Sequence, residues 1–287
     1  MATNRVRALF PSRLPAVGMI HLGPLPGSPR FGGDLDLVTE QAARDVKVLL
    51  EERVDALLVE NFGDAPFYPD EVPGITVAAM SCVIDRLRRG AARMVPWGVN
   101  VLRNDARAAL AIATTVDADF IRVNVLSGAV VTDQGVIQGR AHEVARLRAA
   151  WRPQIAILAD VAVKHARSLG PRPLGDEIAD LVARAGADGI LITGERTGRP
   201  PSLERLTEAR AALGRPNAKT PPLWIASGMG ARELAATVPM AEGWIVGTSL
   251  KRGGAVEAPV DRARLASTGA PARGLRAAAP GLSLIHI

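Results

Sequence analysis

The sequence predicts a (β/α)8 barrel, and three observations lead to this fold class. Eight short runs rich in β-branched residues alternate with stretches of helical periodicity along most of the 287-residue chain. Most connections from a predicted strand to the next helix are longer than the connections from a helix to the next strand. This is typical of barrels, whose active face is built from strand-to-helix loops. An acidic residue also precedes every second run, which indicates a unit of two β/α modules repeated four times.

The predicted strands come from period-two alternation of apolar residues, and the predicted helices from apolar residues three and four apart. In chain order, the strands are predicted at 16–21, 56–60, 97–101, 119–125, 155–161, 188–193, 223–227 and 243–248. The helices between them are predicted at 38–53, 75–90, 104–116, 139–151, 175–185, 202–213 and 230–238. A doubly wound open sheet is the alternative, but no glycine fingerprint follows the first strand.

The acids that precede every second strand lie at the end of the strands away from the active face. They are Asp55, Asp119, Asp188 and Glu242. We therefore expect them to be structural turn residues. Long loops follow the first, second and fourth strands, at 22–37, 62–74 and 126–138. Loops of that length on the active face of a barrel are usually functional.

The formal net charge of +6 does not indicate a nucleic-acid-binding protein. Arginines are scattered beside acids along the predicted helices, and the excess of positive charge comes largely from the C-terminal tail. One tyrosine and five phenylalanines are too few for a base-stacking platform. We expect no nucleic-acid partner.

The chain shows no sign of a transmembrane segment or a secreted protein. No stretch reaches the roughly 20 uncharged apolar residues of a membrane span, and the N-terminus lacks the apolar region of a signal peptide. The single cysteine, Cys82, excludes an intramolecular disulfide and fits a reducing compartment. We therefore expect a cytoplasmic protein with Cys82 buried in the core. Peripheral membrane association and homo-oligomerisation stay open.

Polar side chains converge on the carboxyl ends of the predicted strands. In "DFIRVNV" (119–125) the alternate apolar residues face the helices, so Arg122 and Asn124 point into the barrel. The same parity, or a position at a strand end, places more polar residues there: His21, Glu60, Asn100, Asp160, Thr193 and Ser227. Because buried polar groups cost free energy unless they are paired or bind a ligand, we predict a functional pocket. An interior ion pair between Arg122 and Glu60 is the structural alternative.

Within this pocket we assign substrate binding to residues that would orient polar groups. They are His21, Asn100, Arg122, Asn124 and Thr193. Proton transfer is assigned to Glu60 and to the end of the fifth strand, "ADVAVKHA" (159–166), with Asp160, Lys164 and His165. A lysine among apolar neighbours can act as a base or a Schiff-base nucleophile, although a solvated Lys164 is the alternative.

The same region offers ligands for a metal. Imidazole and carboxylate groups bind divalent cations, and the relevant residues are His21, Glu60, Asp160 and His165. No compact ligand spacing such as His-x-His supports such a site. The sequence therefore requires no cofactor, and a divalent metal stays open.

Two glycine-rich turns follow the seventh and eighth strands. "SGMGARELAA" (227–236) opens a predicted helix, and "VGTSLKRGG" (246–254) brings a glycine, two hydroxyls and two cations to a strand end. Such turns present backbone N–H groups to anions, and these two loops often hold a phosphate in barrels. We predict a phosphate site, with ordinary tight turns as the alternative. Its residues are Ser227, Gly228, Gly230, Gly247, Thr248, Ser249 and Lys251.

Several long motifs resemble the BtpA/SgcQ family in collinear order over roughly residues 14–265. They are "VGMIHLGPLPGSP" (17–29), "VENFGDAPF" (59–67), "GVNVLRNDA" (98–106), "FIRVNVLSGAVVTDQG" (120–135), "ADVAVKHA" (159–166), "TGERTGRPP" (193–201) and "VGTSLKRGG" (246–254). The resemblance implies a ribulose-phosphate-binding type of barrel. The name-giving member is associated with photosystem I biogenesis, and other members have sugar-metabolism contexts. The family supplies no reaction that could be carried over to these residues.

The resemblance ends near residue 266. We expect residues 1–13 to be an N-terminal extension, 14–265 to be the barrel and 266–287 to be an aberrant, disordered tail. The tail is rich in Gly, Pro and Arg and lacks apolar periodicity, so the eighth barrel helix is expected to be missing or corrupted. Its last residues, "LSLIHI", match what a common transposase adapter encodes in one reading frame, which indicates a frameshift and read-through.

Two functions follow from these observations. The first is an enzyme that acts on a small phosphorylated ligand, of the sugar-phosphate isomerase, lyase or aldolase class. The second is a non-catalytic biogenesis factor for a membrane complex of the photosystem I type. The lack of an amphipathic membrane helix favours the enzyme.

Overall fold

Eight parallel strands close into a barrel in the computed structural model, which describes residues 3–11, 14–161, 163, 166–194, 201–226, 237 and 240–267. The barrel strands are β1 (Ala16–His21), β2 (Ala56–Glu60), β3 (Trp97–Asn100), β4 (Phe120–Val123), β7 (Ala156–Val161), β9 (Gly189–Ile192), β10 (Leu223–Ile225) and β11 (Gly243–Val246). Three further strands, β5 (Ala129–Thr132), β6 (Gly135–Gln138) and β8 (Arg167–Ser168), form a separate sheet. The barrel order is β1-β11-β10-β9-β7-β4-β3-β2. The predicted barrel is confirmed, and the open sheet is excluded.

The helices of the described chain are α1 (Arg5–Leu9), α2 (Leu35–Glu51), α3 (Gly74–Leu87), α4 (Ala106–Thr115), α5 (Ala141–Trp151), α6 (Leu174–Ala183), α7 (Leu203–Leu213) and α8 (Arg262–Ser267). Six of them, α2 to α7, surround the barrel where the apolar spacing predicts them, and the other two, α1 and α8, lie near the ends of the described chain. The helix predicted at 230–238 lies outside the described residues except for Thr237. The chain after Ser267, which includes most of the predicted tail, also lies outside them. The eighth helix therefore begins at Arg262, and its continuation is not described.

Alternation along the strands separates the barrel interior from the helix layer. Phe120, Leu158 and Trp224 fill the interior, whereas neighbours such as Ile121 pack against the helices. Glycines make room for the large rings: a Cβ on Gly98 would lie 2.2 Å from the Phe120 ring. The inward direction of alternate side chains was therefore predictable from the period of two.

The acidic repeat is a structural device. Each acid accepts a hydrogen bond from the backbone N–H at the start of the neighbouring strand. The pairs are Asp55 with Ala16 at 2.8 Å, Asp119 with Trp97 at 2.8 Å, Asp188 with Ile157 at 2.9 Å and Glu242 with Leu223 at 3.4 Å. Each acid also donates its own backbone N–H to the carbonyl of the same partner. The repeat satisfies backbone groups at the amino end of the barrel, as expected of structural turn residues.

The helix α1, which was not predicted, covers the amino end of the barrel. Val6 is buried among the interior residues, and the Phe10 ring lies 5.1 Å from the Trp224 ring. Arg5 pairs with Asp188 at 2.9 Å, which ties the helix to the acidic repeat. Part of the predicted N-terminal extension is thus a plug for the barrel.

A small antiparallel sheet, which was also not predicted, lies at the opposite end. Its order is β6-β5-β8, so the loop after β4 folds into a hairpin and the loop after β7 adds a third strand. One face of the hairpin, with Val130 and the buried Ile137, packs on a separate apolar cluster with Val125 and Val163. The signal was present in "VVTDQGVI", because β-branched residues on both sides of a glycine turn indicate a hairpin.

Cys82 is exposed, which corrects the expectation of a buried thiol. The buried stripe of α3 runs through Thr76, Ala79, Met80, Val83, Ile84 and Leu87. Cys82 lies beside this stripe, since residues three and four apart define the buried face.

Candidate functional site

The carboxyl end of the barrel carries a buried set of polar side chains. Six of the predicted inward residues lie here and are buried: Glu60, Asn100, Arg122, Asn124, Asp160 and Thr193. His21 ends β1 directly beside Glu60, its register partner on β2. Burial of so many polar groups has to be offset by hydrogen bonds or by a ligand.

A hydrogen-bonded network connects four of these residues across β3, β4 and β7. Arg122 donates to both oxygens of Asp160, from Nε at 3.2 Å and from Nη2 at 2.9 Å. Asn124 Nδ2 donates to Asp160 Oδ2 at 2.9 Å, and Asn100 Nδ2 donates to Asn124 Oδ1 at 3.2 Å. The structural alternative, in which Arg122 pairs with Glu60, is thus replaced by a pair with Asp160.

Electrostatics keeps Arg122 charged despite its position inside the barrel. Burial lowers the pKa of its guanidinium, but the charges of Asp160 and Glu60 outweigh this and raise the pKa overall. The Asp160 carboxylate accepts three hydrogen bonds and its side chain is fully buried. These contacts hold the Asp160 side chain in place, which suits a positioning role better than proton transfer.

His21 and Glu60 form a second pair beside this network. His21 Nε2 lies 3.9 Å from Glu60 Oε1, and each side chain is only 9% exposed. The ring of Phe62 packs edge-on against the imidazole at 5.2 Å. A histidine and a carboxylate in this arrangement can exchange a proton with a bound ligand.

Arg103 is a residue that the sequence assignments missed. It follows β3 in the loop "NVLRNDA", and burial lowers the pKa of its guanidinium, although Asp160 and Glu60 partly offset this. Its charge therefore acts at the barrel mouth on the same two carboxylates as Arg122. A lone arginine just beyond a strand end was the available signal.

Side-chain amides fix the loops that surround the mouth. Asn61 Oδ1 accepts the backbone N–H of Leu102 at 2.7 Å, which joins the loops after β2 and β3. Asn104 joins the loops after β3 and β4 by two hydrogen bonds with the backbone of Val125, at 2.9 and 2.8 Å. The mouth is therefore held in one arrangement by contacts between adjacent loops.

Part of the predicted phosphate site is described. Gly247 follows β11, and Thr248 and Ser249 lie in a short 3-10 turn, Thr248–Leu250. Gly247 lies directly against His21 of the His21–Glu60 pair, because a Cβ on it would be 3.0 Å from His21 Cε1. Ser227, Gly228 and Gly230, assigned to the same site, lie outside the described residues.

Lys251 does not point its charge at this turn. Its Nζ lies 2.5 Å from Asp45 Oδ2 on α2, and the Lys251 side chain is 2% exposed. Asp45 Oδ1 also accepts the backbone N–H of Val260 at 2.7 Å. The ammonium of Lys251, which the sequence assigned to phosphate binding, therefore joins the segment after β11 to α2. The sequence could not reveal this, since 206 positions separate the two residues.

Two of the predicted catalytic residues lie outside the part of the chain that the structure describes. They are Lys164 and His165, which follow β7.

Within the described part of the chain, no group of three or more His, Cys, Asp or Glu residues could hold a metal ion. Asn100 Oδ1 and Thr193 Oγ1 are buried and have no hydrogen-bond partner among the described residues.

A cavity of about 510 Å³ opens beside the network. Asn124 and Asp160 form its inner end, and the small sheet covers one side. The other walls come from the segment after β7 and from α6 and α7. Its volume lies in the range of small-molecule sites.

The sequence of the whole barrel matches a known protein family. The model of the BtpA family matches residues 12–269. The chain belongs to the BtpA family. It is 45% identical over 258 residues to the Photosystem I biogenesis protein BtpA of Synechocystis sp., with 90% of this chain and 88% of that protein covered.

Other relatives of this BtpA-family chain have names that mention no photosystem. An uncharacterized protein of Thermococcus kodakarensis is 45% identical, with 88% of this chain and 93% of that protein covered. An uncharacterized mitochondrial protein of Caenorhabditis elegans is 30% identical, with 91% of this chain and 94% of that protein covered.

Solved structures share the fold of this BtpA-family chain. Tryptophan synthase of Mycobacterium tuberculosis superposes with a TM-score of 0.59 at 16% identity, covering 96% of this chain and 99% of that chain. Thiamine phosphate pyrophosphorylase of Pyrococcus furiosus gives a TM-score of 0.53 at 13% identity, covering 92% and 96%. At these identities the likeness shows the α/β barrel fold alone. Among the described residues, none of the helices is long and apolar enough to span a bilayer.

Proposed function

We propose that this BtpA-family barrel is an enzyme that acts on a small phosphorylated molecule in the cytoplasm. The observation that carries the proposal is the buried network of Arg122, Asp160, Asn124 and Asn100 at the carboxyl end of the strands, where barrel enzymes hold their active sites. Burying such charges costs several kcal/mol for each ion, and at this end of the barrel a bound ligand would offset part of that cost.

In this proposal, Glu60 and His21 transfer the proton. Their carboxylate and imidazole lie 3.9 Å apart at the mouth, whereas the Asp160 carboxylate already accepts three hydrogen bonds. Arg122, Asn100, Asn124 and Thr193 orient polar groups of the substrate, with Asp160 holding Arg122 and Asn124 in position. Lys164 and His165 are further candidates from the loop after β7. The reaction classes that this arrangement suits are isomerase, lyase and aldolase chemistry.

The phosphate is proposed to lie at the turn formed by Gly247, Thr248 and Ser249. This turn follows β11, and in barrels the loops after the last two strands commonly bind phosphate. Ser227, Gly228 and Gly230 would complete the site. Lys251 takes no direct part, because its ammonium pairs with Asp45.

The experiment is native mass spectrometry of the purified protein, followed by 31P NMR of a panel of phosphorylated metabolites incubated with it. We expect a co-purified or added phosphate ester to bind and at least one to be turned over. Glu60→Gln should abolish turnover, whereas Glu204→Gln on the exposed face of α7 should not. Absence of both binding and turnover in the parent would overturn the enzyme proposal.

The second candidate is a non-catalytic biogenesis factor for a membrane complex. The 45% identity to the Photosystem I biogenesis protein of Synechocystis sp. favours it. If this candidate is right, the Glu60→Gln variant should retain full biological activity in a complementation assay. The assay uses a Synechocystis strain that lacks the Photosystem I biogenesis protein. The enzyme proposal expects loss of complementation.

A further inference from the structure

The cavity beside the barrel mouth differs in chemistry from the mouth itself. Its inner end is polar, since Asn124 and Asp160 belong to the buried network. Its walls are mainly apolar and include Val125, Val130, Val161, Val163, Ala166, Leu169 and Leu181. An apolar wall next to a few convergent polar groups is the usual composition of a small-molecule site.

Part of the apolar lining belongs to a small cluster apart from the main core, whereas Val161 and Leu181 belong to the main core itself. Val125, Ile137 and Val163 form a small cluster apart from the main core, and the half-buried Val130 packs on it. Leu169, at the margin of the cavity, leaves 56% of its surface exposed. A ligand that filled the cavity would remove this apolar surface from water, which favours binding.

The charged residues at the cavity balance one another. Arg172 pairs with Asp180 at 2.6 Å, and Glu177 lies near both Arg172 and Arg205. Among the described lining residues, two cations and two carboxylates therefore stand beside Asp160, whose charge is balanced by Arg122. This balance gives no net attraction for a second phosphate, so the cavity suits a neutral group.

The position of the cavity relates it to the proposed phosphate turn. The cavity opens between β4 and β7, and the turn follows β11. In the closed barrel, β4 and β11 are four strands apart in either direction, which places them on opposite sides of the mouth. A ligand that reached both would pass over Glu60 and Arg122.

We infer that the ligand of this barrel carries a neutral, largely apolar body, such as an aromatic ring, that occupies this cavity while its phosphate lies across the mouth. The phosphate half of this inference rests on the proposed function. The apolar half rests on the cavity walls alone. The substrate class is thus a phosphate ester with an apolar or aromatic group, as distinct from a simple sugar phosphate.

The test compares methyl phosphate with 6-phenylhexyl phosphate by calorimetric titration, and follows the dye 8-anilinonaphthalene-1-sulfonate by fluorescence. The six-carbon linker lets the ring and the phosphate reach opposite sides of the mouth. We therefore expect phenylhexyl phosphate to bind about tenfold or more tightly than methyl phosphate, because the ring buries apolar surface. Val130→Trp should fill the cavity and remove this advantage together with dye binding. The matched control is Val131→Trp, since Val131 lies on the exposed face of the same strand.

A second variant that fills the cavity, Ser168→Trp, provides the same test if Val130→Trp does not fold. Ser168 pairs with Val130 in the sheet and also lines the cavity. If methyl phosphate binds but the phenylhexyl group gives no advantage, the inference is overturned and the proposed function stands. If no phosphate ester binds but the dye does, and both filling variants abolish its binding, the cavity site stands and the phosphate proposal fails. Dye binding that neither filling variant changes would place the dye elsewhere and overturn the inference. Absence of all binding overturns both.

Discussion

Arg122 and Asp160 form a bidentate ion pair inside the barrel, with hydrogen bonds of 3.2 and 2.9 Å between β4 and β7. The side chains are 7% and 0% exposed, so water stabilises neither charge. The pair also sets the orientation of its neighbours. Because the carboxylate can only accept, Asn124 must direct its Nδ2 toward Asp160 and its Oδ1 toward Asn100.

Asp160→Asn should destabilise the protein strongly, because it leaves the buried Arg122 without its charge partner. We expect the free energy of unfolding to fall by about 3–5 kcal/mol, as for other broken buried pairs. Urea denaturation followed by circular dichroism measures the change. Asp85→Asn is the control: Asp85 pairs with Arg89 on the exposed face of α3, and its loss should cost less than about 1 kcal/mol. Equal effects of the two substitutions would contradict the role given to Arg122 and Asp160.

Lys251→Met tests whether Lys251 serves structure or ligand binding. It leaves Asp45 buried without its cation, so we expect a loss of about 3–5 kcal/mol in the free energy of unfolding. The double variant Asp45→Asn, Lys251→Met should recover part of this loss, because Asn keeps an acceptor for the Val260 N–H. Phosphate affinity of the folded variants, measured by calorimetry, should stay within about twofold of the parent, since no charge at the turn is lost. Weaker phosphate binding with unchanged stability would restore Lys251 to the phosphate site.

Asp119 should make stability fall as pH rises. Burial raises the pKa of its carboxyl above 3.8, the ordinary value, although the hydrogen bond from Trp97 and the charge of Arg88 oppose this. The folded state therefore binds the proton more tightly than the unfolded state. The resulting stabilisation is complete below the unfolded pKa and is lost as pH rises through the folded pKa.

Asp119→Asn removes this titration while keeping an oxygen acceptor for the Trp97 N–H. We expect the difference in unfolding free energy between variant and parent to shift in favour of the variant as pH rises from about 3 to 7. Urea denaturation at several pH values measures it, and Asp36→Asn at the surface serves as the control. A difference that stays constant with pH for Asp119→Asn would refute the expectation.

Gly247→Val should weaken phosphate binding at the turn after β11. A Cβ at this position would lie 3.0 Å from His21 Cε1 and 3.1 Å from Met19 Cβ, so the substitution crowds the turn and the imidazole. We expect inorganic phosphate and ribose 5-phosphate to bind about tenfold or more weakly, the scale of one lost charge-assisted hydrogen bond. Calorimetric titration measures the affinity. Gly32→Ala, at a glycine with open space around it, should leave the affinity unchanged. If the parent binds an anion and Gly247→Val does not alter its affinity, the anion lies elsewhere.

Local periodicity predicted most of the barrel, because residues close in sequence largely decide whether a segment forms a strand or a helix. The strand predicted at 119–125 and the observed β4, Phe120–Val123, agree in position and in the inward direction of Arg122. The hairpin of β5 and β6 was missed because its short strands, joined by a turn, were interpreted as one long loop. Helix α1 was missed because five residues give too little periodicity to distinguish a helix.

The sequence by itself determined which side chains enter the barrel, because the alternation of a strand is a local property. Only the tertiary structure decided which of them meet. Arg122 is in register with Leu158, which brings Asp160, two residues further along β7, within reach, while Glu60 lies two strands away on β2. Lys251 finds Asp45 only because the segment after β11 returns to α2. Such pairings depend on the stagger and closure of the strands, which no local pattern contains.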